Sequence, residues 1–214
     1  MNVNDLNENP TDLNLSSISF DENIQSGSII SSLSTTDEDN NDNHTYELVS
    51  GEGDADNSSF TIEGNNLKIN FFPDYETQSS YLIRLKTTDS NGLDFEKSFS
   101  LNVNNINEAP KDINISSNTF NEKIDLGSVI ASLSTLDEDS DDSHTYELFS
   151  GEGDTDNTEF KIIGNQLKIN SSPDYETQSS YNIRLKSTDS SGLYFEKQFT
   201  LSVNDLNDNN KVPT

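Results

Sequence analysis

Cysteine and tryptophan are absent from this 214-residue chain, and basic side chains are scarce. Without cysteine there is no disulfide framework, no thiolate zinc site and no haem attachment, and a reducing compartment is not implied. Twelve Lys and Arg face 39 Asp and Glu, for a net charge of -27. That balance excludes nucleic acid as a partner, because nothing would neutralise its phosphates, and it excludes a polybasic membrane anchor. No apolar run approaches the length of a membrane span, so membrane insertion of this segment is not expected. Met1 is followed by Asn and Asp rather than by a basic and apolar leader. If the protein is exported, the chain is expected to be an excerpt of a longer one. Hydrophobic residues make up only 29%, a share compatible with disorder unless those residues are patterned.

They are patterned, and the pattern repeats. Asp74-Tyr75-Glu76-Thr77-Gln78-Ser79-Ser80-Tyr81 returns unchanged as Asp174 to Tyr181, and His44-Thr45-Tyr46-Glu47-Leu48 returns as His144 to Leu148, each at an offset of 100 without a gap. Roughly two-thirds of aligned positions are identical. A period this long exceeds any solenoid repeat, so each copy is a domain. The expected division is 1–107 and 108–214. Each unit is long enough to bury one core. The joint between them is Val103-Asn104-Asn105-Ile106-Asn107-Glu108-Ala109-Pro110, with related stretches at Val3 to Pro10 and Val203 to Asn209.

Within a unit the apolar residues alternate with polar ones, as in Tyr81-Leu82-Ile83-Arg84-Leu85 and Phe99-Ser100-Leu101-Asn102-Val103, and Gly, Asn, Asp and Pro separate the runs. Period two between such breakers predicts half-buried strands. Seven are expected per unit, over 13–19, 27–35, 44–49, 59–63, 66–71, 80–87 and 95–103. Seven short strands in about 100 residues, with no amphipathic helix, predict an all-β chain of two tandem seven-stranded Greek-key sandwiches. The expected inward set is Ile30, Leu33, Tyr46, Leu48, Phe60, Ile62, Leu67, Ile69, Ile83, Leu85, Phe99, Leu101 and Val103, with counterparts 100 residues on.

The acids fall in the loops: Glu22, the run Asp37-Glu38-Asp39, Asp54 and Asp56, Asp74 with Glu76, and Asp89. So many carboxylates with so few basic partners need another counter-charge, and dissolved cations supply one. Ca2+ accepts about six to eight oxygens from carboxylates, amides and carbonyls. Asp74 and Glu76, like Asp37 and Asp39, are two residues apart, which in extended backbone points both carboxylates to one side. A single acidic pair in a loop is commonly just solvated, or stabilises its own turn. Several clusters together with a polar joint favour metal over solvation alone.

The ordered set Phe20-Asp21-Glu22-Asn23, Thr36-Asp37-Glu38-Asp39, Asp74-Tyr75-Glu76, Thr88-Asp89-Ser90-Asn91-Gly92 and Asn105-Ile106-Asn107-Glu108-Ala109-Pro110 resembles tandem cadherin repeats, in particular the cadherin-like repeats of large bacterial surface proteins. The resemblance covers both units over nearly their whole length. It implies Ca2+ between successive domains. Glu22, Asp74 and Glu76 would come from the first unit. Asn107 and Glu108, with the carbonyls of Ile106 and Ala109, would come from the joint. Asp137, Asp139 and Asp189, with a carbonyl near Asp141, would come from the second. The joint departs from the family pattern: Asn105 stands where Asp is usual, Glu108 where Asp is commoner, and the segment is about one residue shorter than the animal form. Animal cadherins that adhere by exchanging an N-terminal strand bury a tryptophan, and its absence argues against that mode. The end copies, with Asp37, Asp39 and Asp89 at one end and Glu122, Asp174, Glu176 and Asp208 at the other, would be half-sites of weak or no binding and would imply continuation in both directions.

Other features read as structural. Gly51-Glu52-Gly53-Asp54-Ala55-Asp56-Asn57 lacks the period of Gly/Asp calcium repeats and is expected to be a turn. His44 and His144 stand beside a strand tyrosine as packed or surface residues, and Tyr75 and Tyr81 are expected to anchor strands or corners. The Asn-x-Ser/Thr triplets at Asn14, Asn43, Asn57 and Asn114 arise readily in an Asn- and Ser-rich chain. The leading expectation is a calcium-rigidified extracellular module that serves as spacer or adhesion segment of a larger surface protein. Its partners would be Ca2+ and neighbouring repeats. The alternative is a module for a polysaccharide or protein ligand, including homophilic adhesion. No enzyme is expected, since paired loop acids without a pocket do not make a glycosidase.

Overall fold

In the computed structural model, residues 6–39 and 42–206 are described. The chain divides into two compact units, the first ending at Ile106 and the second beginning at Asn107. Among the described residues every regular element is a strand apart from two single 3-10 turns, Asn57–Ser59 and Asn157–Glu159.

In the first unit the strands are β1 (Asp12–Leu15), β2 (Ser19–Asp21), β3 (Ile29–Thr36), β4 (Thr45–Leu48), β5 (Phe60–Glu63), β6 (Asn66–Ile69), β7 (Ser80–Thr88) and β8 (Asp94–Asn104). They form two four-stranded sheets, ordered β1-β3-β6-β5 and β2-β8-β7-β4. Every pair is antiparallel except β2 with β8, which run parallel. The second unit repeats this with β9 (Asp112–Ile115), β10 (Thr119–Asn121), β11 (Val129–Leu136), β12 (Thr145–Leu148), β13 (Phe160–Ile163), β14 (Gln166–Ile169), β15 (Ser180–Thr188) and β16 (Tyr194–Asn204). The all-β sandwich expected from the alternation is the fold observed.

One strand differs from expectation. The stretch 13–19 is two strands, β1 in one sheet and β2 in the other. A chain that changes sheets leaves backbone groups without ladder partners, and serine hydroxyls take them up. Ser17 N donates to Ser31 Oγ at 3.0 Å, Ser32 N donates to Ser16 Oγ at 2.9 Å, and Ser17 Oγ donates to the Ser19 carbonyl at 2.7 Å. Alternation alone does not show this break, because Ser is tolerated on either face of a strand. The next strand carries a bulge between Ile29 and Ser31, which turns Ser31 inward to 4% exposure and leaves Ile30 only half-buried.

The core holds most of the expected inward set, with Ile30, Tyr46, Leu48, Ile62 and Phe99 packed at its margin. It adds Leu13, Phe20 and Tyr81. Phe20, Phe60 and Tyr81 meet as a trio with centroids 5.7–6.4 Å apart, and Phe120, Phe160 and Tyr181 form the matching trio in the second unit at 5.4–6.3 Å. Burying each such ring stabilises the unit by roughly 1.5–3 kcal/mol. Tyr81 thus anchors its strand, as expected, from inside the core.

The core is graded along its length. Inward rows run Leu33-Thr35-Asp37 out of β3, Leu85-Thr87-Asp89 out of β7, and Leu48-Tyr46-His44 back along β4. Each row passes from aliphatic, through a hydroxyl, to an ionisable group. The period-two geometry that buries the leucines therefore delivers two aspartates and a histidine to one end of the sandwich.

Candidate metal centre

At that end Asp137, Asp142 and Asp189 of the second unit bring carboxylate oxygens within 4.8 Å of one another, and Asp37, Asp42 and Asp89 of the first unit do the same. Asp137 and Asp189 leave the ends of β11 and β15, strands of opposite sheets, and Asp142 lies in the loop that leads to β12.

Each carboxylate is held by identifiable donors. Asp189 is 6% exposed. Its Oδ1 accepts from the backbone N–H of Ser191 at 2.9 Å and of Leu193 at 2.8 Å, and its Oδ2 accepts from Asn107 Nδ2 at 3.0 Å. Burial pushes the Asp189 carboxyl up, but the hydrogen bonds from Asn107 and the Leu193, Gly192 and Ser191 amides outweigh it, so the group lies below the usual carboxylate range. Asp89 behaves alike: burial raises it, and Asn7 with the Leu93, Asn91 and Gly92 amides lowers it further. His44 Nε2 sits 2.9 Å from Asp37 Oδ2, and His144 Nε2 sits 2.7 Å from Asp137 Oδ2. The hydrogen bond from His44, followed by that from the Asp39 amide, holds Asp37 low. Of the two expected alternatives, packed or surface, the histidines are packed, with a partner that sequence did not reveal.

Asp142 completes the group. Ser190 Oγ donates to its Oδ1 at 2.7 Å. Its Oδ2 is buried and has no hydrogen-bond partner among the described residues, and Asp42 Oδ2 is in the same state. A buried carboxylate oxygen without a donor is costly unless something else meets it. Among the described residues the ion pairs of Arg184, Lys186 and Lys197 run to Glu196, Glu147 and Asp112, and Lys111 pairs with Glu138 beside Asp137.

The expected ligands distribute as follows. Asp137, Asp189 and Asn107 come together, with Asn107 Oδ1 also accepting from Ser191 Oγ at 3.0 Å. Asp139 lies beside this group rather than within the three-carboxylate set. Its amide turns back onto Asp137 Oδ1 at 3.3 Å, and its Oδ2 accepts the Glu108 amide at 2.8 Å, so it fixes the start of the unit. Asp141 is exposed, and the carboxylate in the group belongs to its neighbour Asp142. Sequence reasoning missed Asp42 and Asp142. One signal was available: 40, 41 and 43 differ between the copies while Asp42 and Asp142 are retained.

Glu22, 3% exposed, holds the other end of the first unit. Its Oε1 accepts the Ile106 amide at 2.7 Å and its Oε2 the Tyr75 amide at 2.8 Å, tying the end of the chain segment to the Asp74–Glu76 loop. That loop is a turn rather than extended: Gln78 N donates to the Asp74 carbonyl at 3.0 Å and Thr77 caps the Asp74 carboxylate through N at 3.0 Å and Oγ1 at 2.8 Å. The two-residue spacing therefore does not align Asp74 and Glu76 by strand geometry. In the second unit the equivalent turn still gathers Asp174, Glu176 and the buried Glu122 within 4.8 Å. Asp208, expected at that end, lies outside the described residues, as do 3–5 of the N-terminal copy. Ile106 and Ala109 are exposed segments flanking Asn107 and Glu108, and Glu108 is half-buried.

The Gly51–Asn57 loop is a turn, as expected. Gly51 N donates to Asp54 Oδ2 at 3.0 Å, and Asp56 accepts from Leu82 N at 2.7 Å and Gln78 Nε2 at 3.2 Å, so both of its aspartates have protein donors. Gly53 has φ +92, and a Cβ there would meet Ser98 Oγ at 2.6 Å.

No family model matches the chain. Among curated proteins it is similar to Cadherin-3 of Caenorhabditis elegans, at 28% identity over 169 residues, 77% of this chain and 5% of that protein. Among solved structures it is similar to the protocadherin GammaB4 extracellular domain, with TM-score 0.65 and 25% identity over 96% of this chain and 34% of that one. It superposes on human protocadherin-24 EC1-2 with TM-score 0.67 and 20% identity, covering 92% of this chain and all of that one. The chain thus spans only a small part of the curated relative. Its two units share the fold of cadherin extracellular repeats. The relatives with a stated organism are animal proteins, so the bacterial part of the resemblance gains no support from them.

Proposed function

We propose that the chain is a calcium-binding tandem extracellular module, a spacer or adhesion segment of a larger surface protein. Each unit would hold Ca2+ at its graded end through Asp37, Asp42 and Asp89, or Asp137, Asp142 and Asp189; the first group, expected to be a half-site of weak or no binding, is proposed as a site because it gathers the same three carboxylates, with Asn7 on Asp89 as Asn107 is on Asp189. The observation that carries this is the buried, donorless Oδ2 of Asp42 and of Asp142 beside two further carboxylates. A hard divalent cation suits an all-oxygen set of carboxylates with the Asn107 amide oxygen nearby, and zinc or copper would favour nitrogen or sulfur. At the middle joint, the family resemblance adds Glu22, Asp74, Glu76, Glu108 and the carbonyls of Ile106 and Ala109. Extracellular modules bind at about 10⁻⁴–10⁻³ M, a range matched to Ca2+-rich surroundings.

Calorimetric titration of Ca2+ into the chain, and into the Glu108→Ala/Asp137→Ala double variant, tests the assignment. Weaker binding with both sandwiches still folded is expected, and undiminished binding counts against these residues. Ca2+ at the joint would also stiffen the pair, so X-ray scattering with and without chelator should show a changed interdomain distance distribution. An unchanged distribution removes the stiffening role. Neighbouring repeats are the favoured partners, and a polysaccharide ligand has no feature here that recommends it over them.

A further inference from the structure

Between the aliphatic core and the carboxylates of each unit lies a layer of hydroxyls. Thr35 Oγ1 stands 2.6 Å from Thr87 Oγ1 and donates to the Tyr46 hydroxyl at 3.2 Å. Thr87 and Tyr46 are cross-strand partners in one sheet, and Thr35 belongs to the other. The second unit has the same bridge: Thr135 Oγ1 lies 2.6 Å from Ser187 Oγ and donates to Tyr146 OH at 3.0 Å. Thr87 and Ser187 are fully buried. The copies differ at this position, yet the hydroxyl is kept.

These are direct side-chain hydrogen bonds from one sheet to the other, and their place in the rows is informative. Thr135 is two residues before Asp137, and Ser187 is two before Asp189. The same bond therefore spans the two strand ends from which the paired aspartates emerge. Leucine contacts deeper in the core hold the sheets together but are non-directional, and they tolerate small slides. A buried hydroxyl pair at 2.6 Å does not, because parting it leaves both groups desolvated and unmet.

We infer that the Thr135–Ser187–Tyr146 bridge, and its counterpart Thr35–Thr87–Tyr46, are positioning residues that set the separation of Asp137 from Asp189 and of Asp37 from Asp89. They tune cation affinity without touching the cation. The inference rests on the proposed calcium reading of that end of each unit.

The test uses the full chain with Ca2+ as the probe, followed by site-resolved NMR titration. The Ser191 and Leu193 amides report the second unit's group, and the Asn91 and Leu93 amides report the untouched first unit in the same molecule. Thr135→Val should weaken Ca2+ binding in the second unit by about tenfold with the first unit unchanged, and Thr135→Ser should stay within about twofold of wild type. A merely structural role would lower the Ca2+-free melting temperature of Thr135→Val and leave its affinity intact, and that result overturns the inference. Where Thr135→Val does not fold, Tyr146→Phe carries the test with an expected loss of about threefold, and unchanged affinity again overturns it. If wild type shows no Ca2+-dependent shift of these amides, the calcium reading itself fails and the inference falls with it.

Discussion

The Ser190 hydroxyl donates to one oxygen of Asp142 at 2.7 Å, while the other oxygen of that carboxylate is buried with no hydrogen-bond partner among the described residues. Ser90 and Asp42 repeat the relationship. A fold that supplies a donor to one lone-pair set and leaves its neighbour bare is suited to a cation, which needs the bare oxygen free of protein donors.

Asp142→Asn should therefore have opposite effects with and without Ca2+. It removes one of three mutually repelling carboxylates, so the Ca2+-free melting temperature of the second unit rises by about 4 °C. The same change removes a ligand, so Ca2+ affinity at that unit falls by about tenfold or more. Calorimetric melts across a Ca2+ series show both, and a variant less stable without Ca2+ and equally tight with it contradicts the assignment.

Glu122 makes a separate structural contribution. It is 1% exposed, and its carboxylate accepts the Leu206 amide at 2.7 Å and the Tyr175 amide at 3.2 Å. Glu122→Ala leaves two backbone donors unmet and should cost roughly 1–3 kcal/mol in urea unfolding of the Ca2+-free chain. Glu122→Gln, which keeps one acceptor, should recover part of that loss.

The loop at 151–157 supplies the control for acidity alone. Asp156 accepts from Asn182 N at 2.7 Å and Gln178 Nε2 at 3.0 Å. Asp156→Ala should destabilise the second unit by about 1–2 kcal/mol and leave the Ca2+ titration unchanged. A lost binding event would assign the loop a metal role that its hydrogen bonding does not suggest.

The pH dependence has a defined sign. The Asp189 carboxyl is lowered in the fold, so its contribution to stability is full above its unfolded value of about 3.9. That contribution is lost as pH falls through the lower native value. The difference in unfolding free energy between wild type and Asp189→Asn, measured without Ca2+, should be flat from about pH 8 to about pH 5 and should shrink below about pH 4. A difference that changes between pH 5 and 8 means that another group is coupled to Asp189.

How much of this was legible in the sequence differs by residue. The leucine, isoleucine and phenylalanine rows announce the sandwich because burial on one face imposes period two. The break at Ser16–Ser17 is silent, since serine fits a strand and a sheet crossing alike, and its role depends on Ser31 and Ser32 across the sandwich. Asp137 and Asp189 were found through their motifs. Asp142 was not, because its burial and its bond to Ser190 arise from a contact 48 residues away. The Asp74–Glu76 pair was assigned a strand geometry that Thr77 replaces with a capped turn. The sequence leaves His144 as a packed or surface residue, and its partner Asp137 is visible only once the loop is closed.

The most direct test of the central claim is a crystal structure of the chain grown in saturating Ca2+, with anomalous scattering used to locate the metal. The account predicts cation density among Asp137, Asp142 and Asp189, with Asp142 Oδ2 at about 2.3–2.6 Å from it, and equivalent density at Asp37, Asp42 and Asp89. A structure that shows no cation at either group under those conditions contradicts it.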